Sequence, residues 1–170
     1  NVFLTGEPGS GKTHTINQYV SYLRAQGVEP AVTASTGIAA THIGGMTIHS
    51  WSGMGIHENL EPHHIKKLAQ TRYIETRMRK AQVLIIDEIS MLSPASLNLI
   101  EAICRESRQN PAAFGGLQVV FVGDFFQLPP VSRYGEPDPK FVYHSEAWKK
   151  GNFKVCYLEE QFRQSDDVSL

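Results

Sequence analysis

An eight-residue segment near the start of the chain constrains the possible fold more than any other part of the sequence. Residues 6–13 read Gly-Glu-Pro-Gly-Ser-Gly-Lys-Thr, with an apolar strand-like run before them and a helix-like stretch after them. Glycines allow backbone N–H groups to turn toward one point, and the first turn of a helix adds positive potential there. A strand, this loop and a helix in that order predict a cradle for phosphate groups. The alternative is a glycine-rich turn that holds a lysine by chance.

The loop predicts a nucleotide site in which each residue has a definite role. We expect ATP to be bound by residues of the loop and of the following helical turn: Gly9, Ser10, Gly11, Lys12 and Thr13. The Lys12 ammonium would reach the β- and γ-phosphates and act in catalysis, and the Thr13 hydroxyl would be a ligand of Mg²⁺.

Strand-like and helix-like segments alternate along the chain. Short apolar runs predict strands at 1–5, 31–34, 83–87, 119–122 and 154–158. Apolar residues spaced three to four apart, or a capping serine followed by proline, predict helices at 12–25 and 94–108. This alternation predicts an α/β fold with a mostly parallel central sheet and helices on both faces. Ligands of such sheets bind at the carboxyl ends of the strands.

Two acidic residues end the apolar run at 83–87 and indicate hydrolysis as well as binding. The Asp87 carboxylate could hold Mg²⁺ beside Thr13. The adjacent Glu88 could orient and deprotonate an attacking water. The alternative is two acids at a solvated strand end. A small-molecule kinase would not need a water-activating glutamate here, so the pair favours a nucleoside triphosphatase.

Two further polar residues follow predicted strands and could act on the same phosphate. Gln127 comes after the strand at 119–122, where its amide could respond to the presence of the γ-phosphate. Arg163 comes after the strand at 154–158, where a guanidinium could bind the nucleotide and stabilise the transferring phosphoryl group. Chemistry alone leaves both open, because a polar loop residue and a surface arginine are the alternatives.

Hydroxyl side chains cluster at residues 33–37, after the second predicted strand. Thr33, Ser35 and Thr36 could donate hydrogen bonds to nucleic-acid phosphates, and Gly37 opens a helix. Such contacts do not depend on base sequence. The alternative is that Ser35 or Thr36 caps that helix. The formal net charge of −1 gives no basic signature, so any contact with nucleic acid must be local.

The length of 170 residues fits one domain with a sizeable core. No run of eighteen apolar residues is present, so no membrane-spanning helix is predicted. Residues 52–80 interrupt the alternation with a glycine-rich start and a basic helix-like stretch, and we interpret them as an insertion on the core. The first residue is Asn1 rather than Met, and we expect the sequence to be a piece of a longer protein.

The motifs form an ordered set that resembles one family of motor enzymes. The set comprises GEPGSGKT (6–13), TASTGIAA (33–40), TIHSW (47–51), IIDEISML (85–92), GDFFQLPPV (123–131) and LEEQFRQ (158–164). In this order the motifs are similar to those of superfamily 1B DNA helicases, above all the petite-integration-frequency (PIF) family, which is related to RecD-like helicases. The stretch 96–120 also resembles that family's signature between its second and third motifs.

The resemblance implies a RecA-like P-loop NTPase fold and an ATP-dependent 5′-to-3′ DNA helicase, of which residues 1–170 are the first motor domain. It supports the catalytic and binding roles argued above for Lys12, Thr13, Asp87, Glu88, Gln127 and Arg163. It assigns a surface facing DNA to Thr33, Ser35, Thr36, Gly37, Thr47 and His49.

The resemblance also implies parts and partners beyond these residues. Family members hold the nucleotide between two motor domains, so a second motor domain of the same chain is expected, and the fragment alone is expected to be weakly active or inactive. Residues 52–80 would carry a small wedge that helps to split duplexes. The expected partners are single-stranded DNA and duplex or structured DNA junctions, with no membrane.

The family's roles lie in DNA repair, recombination, and telomere or genome maintenance. We therefore expect an intracellular protein, in the cytoplasm or nucleoid of a bacterium or in the nucleus or mitochondrion of a eukaryote. The alternative function is that of another P-loop NTPase or kinase that does not act on DNA.

Overall fold

The computed structural model describes residues 1–126 and 140–159, in which strands and helices alternate. The strands are β1 (Val2–Gly6), β2 (Ala31–Ala34), β3 (Met46–Thr47), β4 (Val83–Asp87), β5 (Gln118–Val122) and β6 (Lys154–Leu158). The helices are α1 (Lys12–Ala25), α2 (Gly37–His42), α3 (Ile48–Ser52), α4 (Pro62–Ala69), α5 (Arg72–Lys80), α6 (Pro94–Arg108) and α7 (Glu146–Gly151). Short 3-10 turns lie at Ile89–Met91, Ala113–Gly116 and Val142–His144. Among these helices, none is both long enough and apolar enough to cross a bilayer.

All six strands of this part of the chain pair in parallel in one sheet, in the order β3-β2-β4-β5-β1-β6. From β1 the chain crosses to β2 and the edge strand β3, then fills the gap between β2 and β1 with β4 and β5, and β6 is added last beside β1. The predicted α/β class is confirmed, with helices on both faces of a parallel sheet. The carboxyl ends of β2, β4, β5 and β1 are consequently neighbours at one edge.

Helix α1 covers one face of the sheet. Ile16, Val20 and Leu23 recur at intervals of four and three residues and are buried. They pack with Leu4 of β1 and Ile85 of β4 in one apolar cluster. Because α1 begins directly after the glycine-rich loop, this packing fixes the loop at the carboxyl end of β1.

The opposite face carries the larger core, beneath α3 to α7. Helix α6 begins where the sequence predicts it, because the Ser93 hydroxyl accepts the Ser96 amide N–H at 3.1 Å and Pro94 occupies the first helical position. Leu97 and Ile100 are fully buried on the side of α6 that faces this core. The predicted helix is therefore confirmed at both its cap and its apolar face.

Residues 52–80 fold mainly as α4 and α5, which pack against α6. Trp51, Met54, Ile74 and Met78 are each at most 3% exposed and belong to the larger core. These contacts attach the segment firmly to the sheet domain, and its action as a wedge stays a prediction.

The two edge strands have features that the sequence pattern does not predict, the existence of β3 and the exposure of β6. Strand β3 has two residues and follows no apolar run, so no periodicity predicts it. Strand β6 is confirmed, yet Val155 and Tyr157 are 65% and 56% exposed. Within the described residues β6 pairs only with β1, so its other edge and much of its surface face outward.

Strand β3 lies against β2 through a close backbone approach at Gly45. A Cβ there would overlap the carbonyl oxygen of Val32 and lie 2.9 Å from its carbonyl carbon. We expect Gly45→Ala to displace β3 and to lower the free energy of unfolding by about 2 kcal/mol or more, measured by urea denaturation. Gly37→Ala is the control, because nothing lies within 4 Å of a Cβ there. Equal losses in the two variants would contradict this account of β3.

Candidate nucleotide-binding site

The glycine-rich loop turns between β1 and α1 in a conformation that two glycines allow. Gly9 and Gly11 have φ angles of +84° and +90°, which glycine adopts without steric cost. Gly11 is the N-cap residue of α1, and no side-chain hydrogen bond caps the helix there. The amides of the first turn of a 14-residue helix therefore point toward the loop, as an anion site requires.

The Lys12 ammonium lies against this loop and close to the acids of β4. Its Nζ donates hydrogen bonds to the carbonyl oxygens of Gly6 at 2.5 Å and Glu7 at 3.0 Å. Burial raises the pKa of Asp87 and of Glu88, and the positive charge of Lys12 opposes this rise by favouring their ionised forms. One cation thus faces both the predicted phosphate cradle and the acidic pair.

Ser10 gives an independent indication that the loop suits a phosphate group. Its side chain is 2% exposed, and its Oγ has no hydrogen-bond partner within residues 1–126 and 140–159. A buried polar group without a partner costs about 1–3 kcal/mol, which a ligand oxygen can offset. Thr13, exposed in the first turn of α1, offers a second hydroxyl beside the loop. Residues 9–13 therefore fit the triphosphate that the sequence predicts.

Asp87 and Glu88 leave β4 through a strained turn. Asp87 Oδ1 accepts the amide N–H of Glu88 at 2.8 Å. Glu88 has φ of 52° and ψ of 43°, a left-handed conformation that is uncommon for any residue with a Cβ. The turn sends the chain into the 3-10 segment Ile89–Met91 and away from the line of the strand. Strain of this kind persists where the surroundings fix it, and it is concentrated at functional sites.

A third carboxylate, Asp124, belongs to the same edge and was not among the predicted site residues. It follows β5, is 5% exposed, and its Oδ1 accepts the amide N–H of Phe126 at 2.9 Å. Its charge acts on Glu88 and raises the pKa of that carboxyl. The sequence signal was an acid just after a buried strand, as for Asp87.

Burial governs the protonation of the acidic pair. Desolvation raises the pKa of Asp87 above its ordinary value, against the hydrogen bond from the Glu88 amide and the charge of Lys12. Desolvation is also the largest cause of the raised pKa of Glu88, to which the charges of Asp87 and Asp124 add. A raised pKa makes a carboxylate a better proton acceptor. Glu88 therefore has the environment of a general base.

Two hydroxyls in and directly after β2 form hydrogen bonds to the backbone of residues 85–88. Thr33 is fully buried, and its Oγ1 donates to the carbonyl oxygen of Ile85 at 2.6 Å. This hydroxyl ties β2 to β4 in the structure, and the expected contact of Thr33 with DNA stays a prediction. Ser35 is 9% exposed, and its Oγ donates to the carbonyl oxygen of Glu88 at 2.7 Å.

The other residues predicted to face DNA lie at the starts of α2 and α3. These helices follow β2 and β3, whose last residues Ala34 and Thr47 are paired. Thr36 caps α2 by accepting the Ala39 amide at 3.3 Å, and Thr47 caps α3 in the same way from Ser50 at 3.2 Å. The capping alternative is thus present for Thr36. A hydroxyl that accepts a capping bond still has its own proton to donate.

His49 lies in the first turn of α3. It lines an open pocket together with other residues of α3 and with the loop 55–58. It is partly buried, and desolvation lowers its pKa below the ordinary value, against the charge of Glu58. The imidazole is therefore neutral at pH 7 and offers a single N–H donor.

Gln127 and Arg163 lie outside the described residues. The ends of β5 and β6, which precede them in the sequence, flank β1 in the sheet. Their predicted roles stay predictions. Within the described residues, no group of three or more His, Cys, Asp or Glu side chains could hold a metal ion. A cation at Thr13 and Asp87 would therefore need ligands from the nucleotide and from water.

Comparison with known proteins places this site in a family. The model of the PIF1-like helicase family matches residues 1–169. The ATP-dependent DNA helicase Pif1 of Psychrobacter sp. (strain PRwf-1) is 54% identical over 165 residues, which are 96% of this chain and 25% of that protein. The crystal structure of Pif1 helicase from Candida albicans is 41% identical with a TM-score of 0.88, over 98% of this chain and 38% of that one.

A further solved structure is that of Pif1 helicase from Bacteroides in complex with ADP-AlF3 and single-stranded DNA. It is 36% identical with a TM-score of 0.82, over 98% of this chain and 40% of that one. The fold and the site together define a RecA-like nucleotide-binding domain. The chain belongs to the PIF1-like helicase family, as its motifs predicted. It spans about a quarter of the length of the Psychrobacter relative.

Because Glu88 is desolvated, we expect its ionisation to lower the stability of the protein in a pH-dependent way when magnesium and nucleotide are absent. Because the folded environment raises the pKa, ionisation of Glu88 costs stability above that pKa, and the cost vanishes below the ordinary value of about 4.3. We expect Glu88→Gln to raise Tm at pH 7 in EDTA, with a gain that disappears as the pH approaches about 4. The exposed Glu106→Gln is the control and should leave Tm nearly unchanged. A lower Tm for Glu88→Gln at pH 7 would contradict this electrostatic account.

Proposed function

We propose that this chain is the first motor domain of an ATP-dependent DNA helicase that moves 5′ to 3′ on single-stranded DNA. The observation that carries the proposal is the meeting of the phosphate-type loop, Lys12 and the Asp87–Glu88 pair at one edge of the sheet. Family membership supports it, because the relatives are named ATP-dependent DNA helicases. A nucleotide analogue and single-stranded DNA are present together in the Bacteroides relative.

Hydrolysis requires a base near the terminal phosphate and a cation to hold that phosphate. Residues 9–13 bind the β- and γ-phosphates through backbone amides, the Ser10 hydroxyl and the Lys12 ammonium. Glu88 orients a water molecule and takes a proton from it at the carboxylate, and desolvation strengthens this carboxylate as a base. This arrangement favours transfer of the phosphoryl group to water over transfer to a small-molecule acceptor.

Thr13 and Asp87 are the residues that would hold Mg²⁺. Magnesium supplies positive charge that neutralises the phosphate oxygens during phosphoryl transfer. The Thr13 hydroxyl and the Asp87 carboxylate are oxygen donors, which this cation prefers. Gln127 and Arg163 are proposed to sense and stabilise the γ-phosphate from the segments that follow β5 and β6.

Single-stranded DNA is proposed to bind across the starts of α2 and α3. Thr36 and Thr47 donate their hydroxyl protons to phosphates while their oxygens keep the helix caps. Gly37 is exposed, and a Cβ there would meet nothing within 4 Å, so the DNA backbone can approach closely. His49 adds a neutral donor. Contacts to phosphate alone do not select a base sequence, which suits a motor that moves along a strand.

The remaining parts of the proposal concern the whole protein. A second motor domain of the same chain closes the nucleotide site, and residues 52–80 contribute a wedge at duplex or structured DNA junctions. Roles in DNA repair, recombination or telomere maintenance follow from the resemblance, as does an intracellular location.

ATP turnover of the full-length protein tests the proposed function. We expect ATPase activity that single-stranded DNA strongly stimulates. Lys12→Ala should abolish nucleotide binding, and Glu88→Gln should keep ATP affinity while lowering kcat by about 100-fold or more, since general-base catalysis contributes about 10²–10⁴-fold. Ser107→Ala, which removes a buried hydroxyl of α6, is the control and should behave as wild type. Turnover that ignores DNA would refute the helicase assignment and leave another P-loop NTPase.

The neutral state of His49 makes a prediction about DNA affinity. We expect His49→Ala to weaken binding of any single-stranded oligonucleotide about ten-fold or more, the worth of one hydrogen bond from a neutral donor to a charged phosphate. The slope of log affinity against log salt should stay unchanged at pH 7, because no charged contact is lost. Fluorescence anisotropy over a salt series measures both. The exposed His63→Ala is the control, and a slope lowered by about one in His49→Ala would show a charged contact instead.

A further inference from the structure

Ser35 joins the segment that faces DNA to the backbone of Glu88. Its amide N–H donates to the carbonyl oxygen of Asp87 at 3.0 Å, and its Oγ donates to the carbonyl oxygen of Glu88 at 2.7 Å. These two hydrogen bonds, which we call the Ser35 bridge, hold the two successive carbonyls of the acidic pair. The end of β2 is thereby fixed to the turn that aims the Glu88 side chain.

The left-handed backbone of Glu88 depends on such support. Its carbonyl oxygen accepts two hydrogen bonds, one from the Met91 amide at 3.1 Å and one from the Ser35 hydroxyl. The Met91 bond belongs to the 3-10 turn itself and moves with it. The Ser35 bond comes from a different strand, so it sets the position of the turn relative to β2.

The other end of the bridge leads directly to the surface. Ser35 is 9% exposed, whereas Ile38, three residues later, is 76% exposed. Between them lie Thr36, which caps α2, and Gly37, which is open to solvent. A ligand at this surface therefore contacts residues one or two positions from a hydrogen bond to Glu88.

The Ser35 hydroxyl cannot serve both partners at once. A serine hydroxyl has one proton, and here that proton is donated to the Glu88 carbonyl oxygen. A DNA phosphate also requires a donor. The burial of Ser35 and its committed proton therefore indicate a role beneath the DNA surface rather than on it.

We propose that Ser35 is a positioning residue through which single-stranded DNA bound at residues 36–37 sets the placement of Glu88 and so controls ATP turnover. The inference rests on the proposed function and adds a physical route from one site to the other. DNA that orders the turn at residues 36–37 also restrains the end of β2. The two hydrogen bonds of the Ser35 bridge then restrain the Glu88 backbone.

The test is steady-state ATPase of the full-length protein carrying Ser35→Ala, with and without saturating single-stranded DNA. We expect kcat with DNA to fall about five- to ten-fold, as the loss of one hydrogen bond predicts. The stimulation by DNA should shrink, while KM for ATP and Kd for DNA stay within about two-fold of wild type. Ser35→Thr keeps the hydroxyl and should restore most of kcat. Ser107→Ala is the matched control, a serine of similar burial on α6.

Three outcomes would overturn the inference while leaving the proposed function intact. The first is wild-type kcat and stimulation in Ser35→Ala when Lys12→Ala is inactive in the same assay. The second is a loss confined to Kd for DNA, which would make Ser35 a direct contact. Equal loss in Ser35→Ala and Ser35→Thr with an unchanged Tm would also reject the bridge, because the hydroxyl would then have no part. Absence of any DNA stimulation in wild type would instead count against the proposed function itself.

Discussion

Parallel pairing of four neighbouring strands is the constraint on which the site depends. Strands β2, β4, β5 and β1 are adjacent in the sheet, so their carboxyl ends lie side by side. The strand ends therefore bring together groups that are distant in sequence: Ser35, Asp87, Glu88, Asp124 and the loop at 6–13. Apolar side chains pack on both faces of the strands and fix their relative positions. The geometry of the chemical groups is therefore set by the core.

Ionisation of the three carboxylates at this edge costs electrostatic free energy. Asp87, Glu88 and Asp124 stand close together where burial opposes ionisation, and Lys12 offsets part of that cost. The low effective dielectric that raises the pKa of Glu88 also strengthens the attraction between a phosphate and the Lys12 ammonium. Exclusion of water from this edge therefore lowers the stability of the free domain and favours activity toward a bound nucleotide.

The sequence predicted those parts of the site that depend on chain-local patterns. The loop at 6–13, the burial of β4 and the pair Asp87–Glu88 could be read because each rests on adjacent residues. The burial of Thr33 could not be read, since its hydroxyl is committed to Ile85, 52 positions away. Short strands such as β3 have no periodicity, and the exposure of β6 depends on which strands pair beside it. Long-range contacts of this kind leave no signal in one sequence.

Coupling between two sites needs an element that both can bias, and β2 has the attachments for it. Thr33 and Ser35 bond to the β4 chain on either side of Ala34, which is itself paired with Asp87. The strand therefore cannot slide along β4 without breaking buried hydrogen bonds. If residues 36–37 are displaced, the paired strands β2 and β4 resist the movement. The strained turn at Glu88, which Ser35 contacts directly, is then the nearest backbone that can change its conformation. The proposed control of ATP turnover by DNA would use this connection, which is one side chain long.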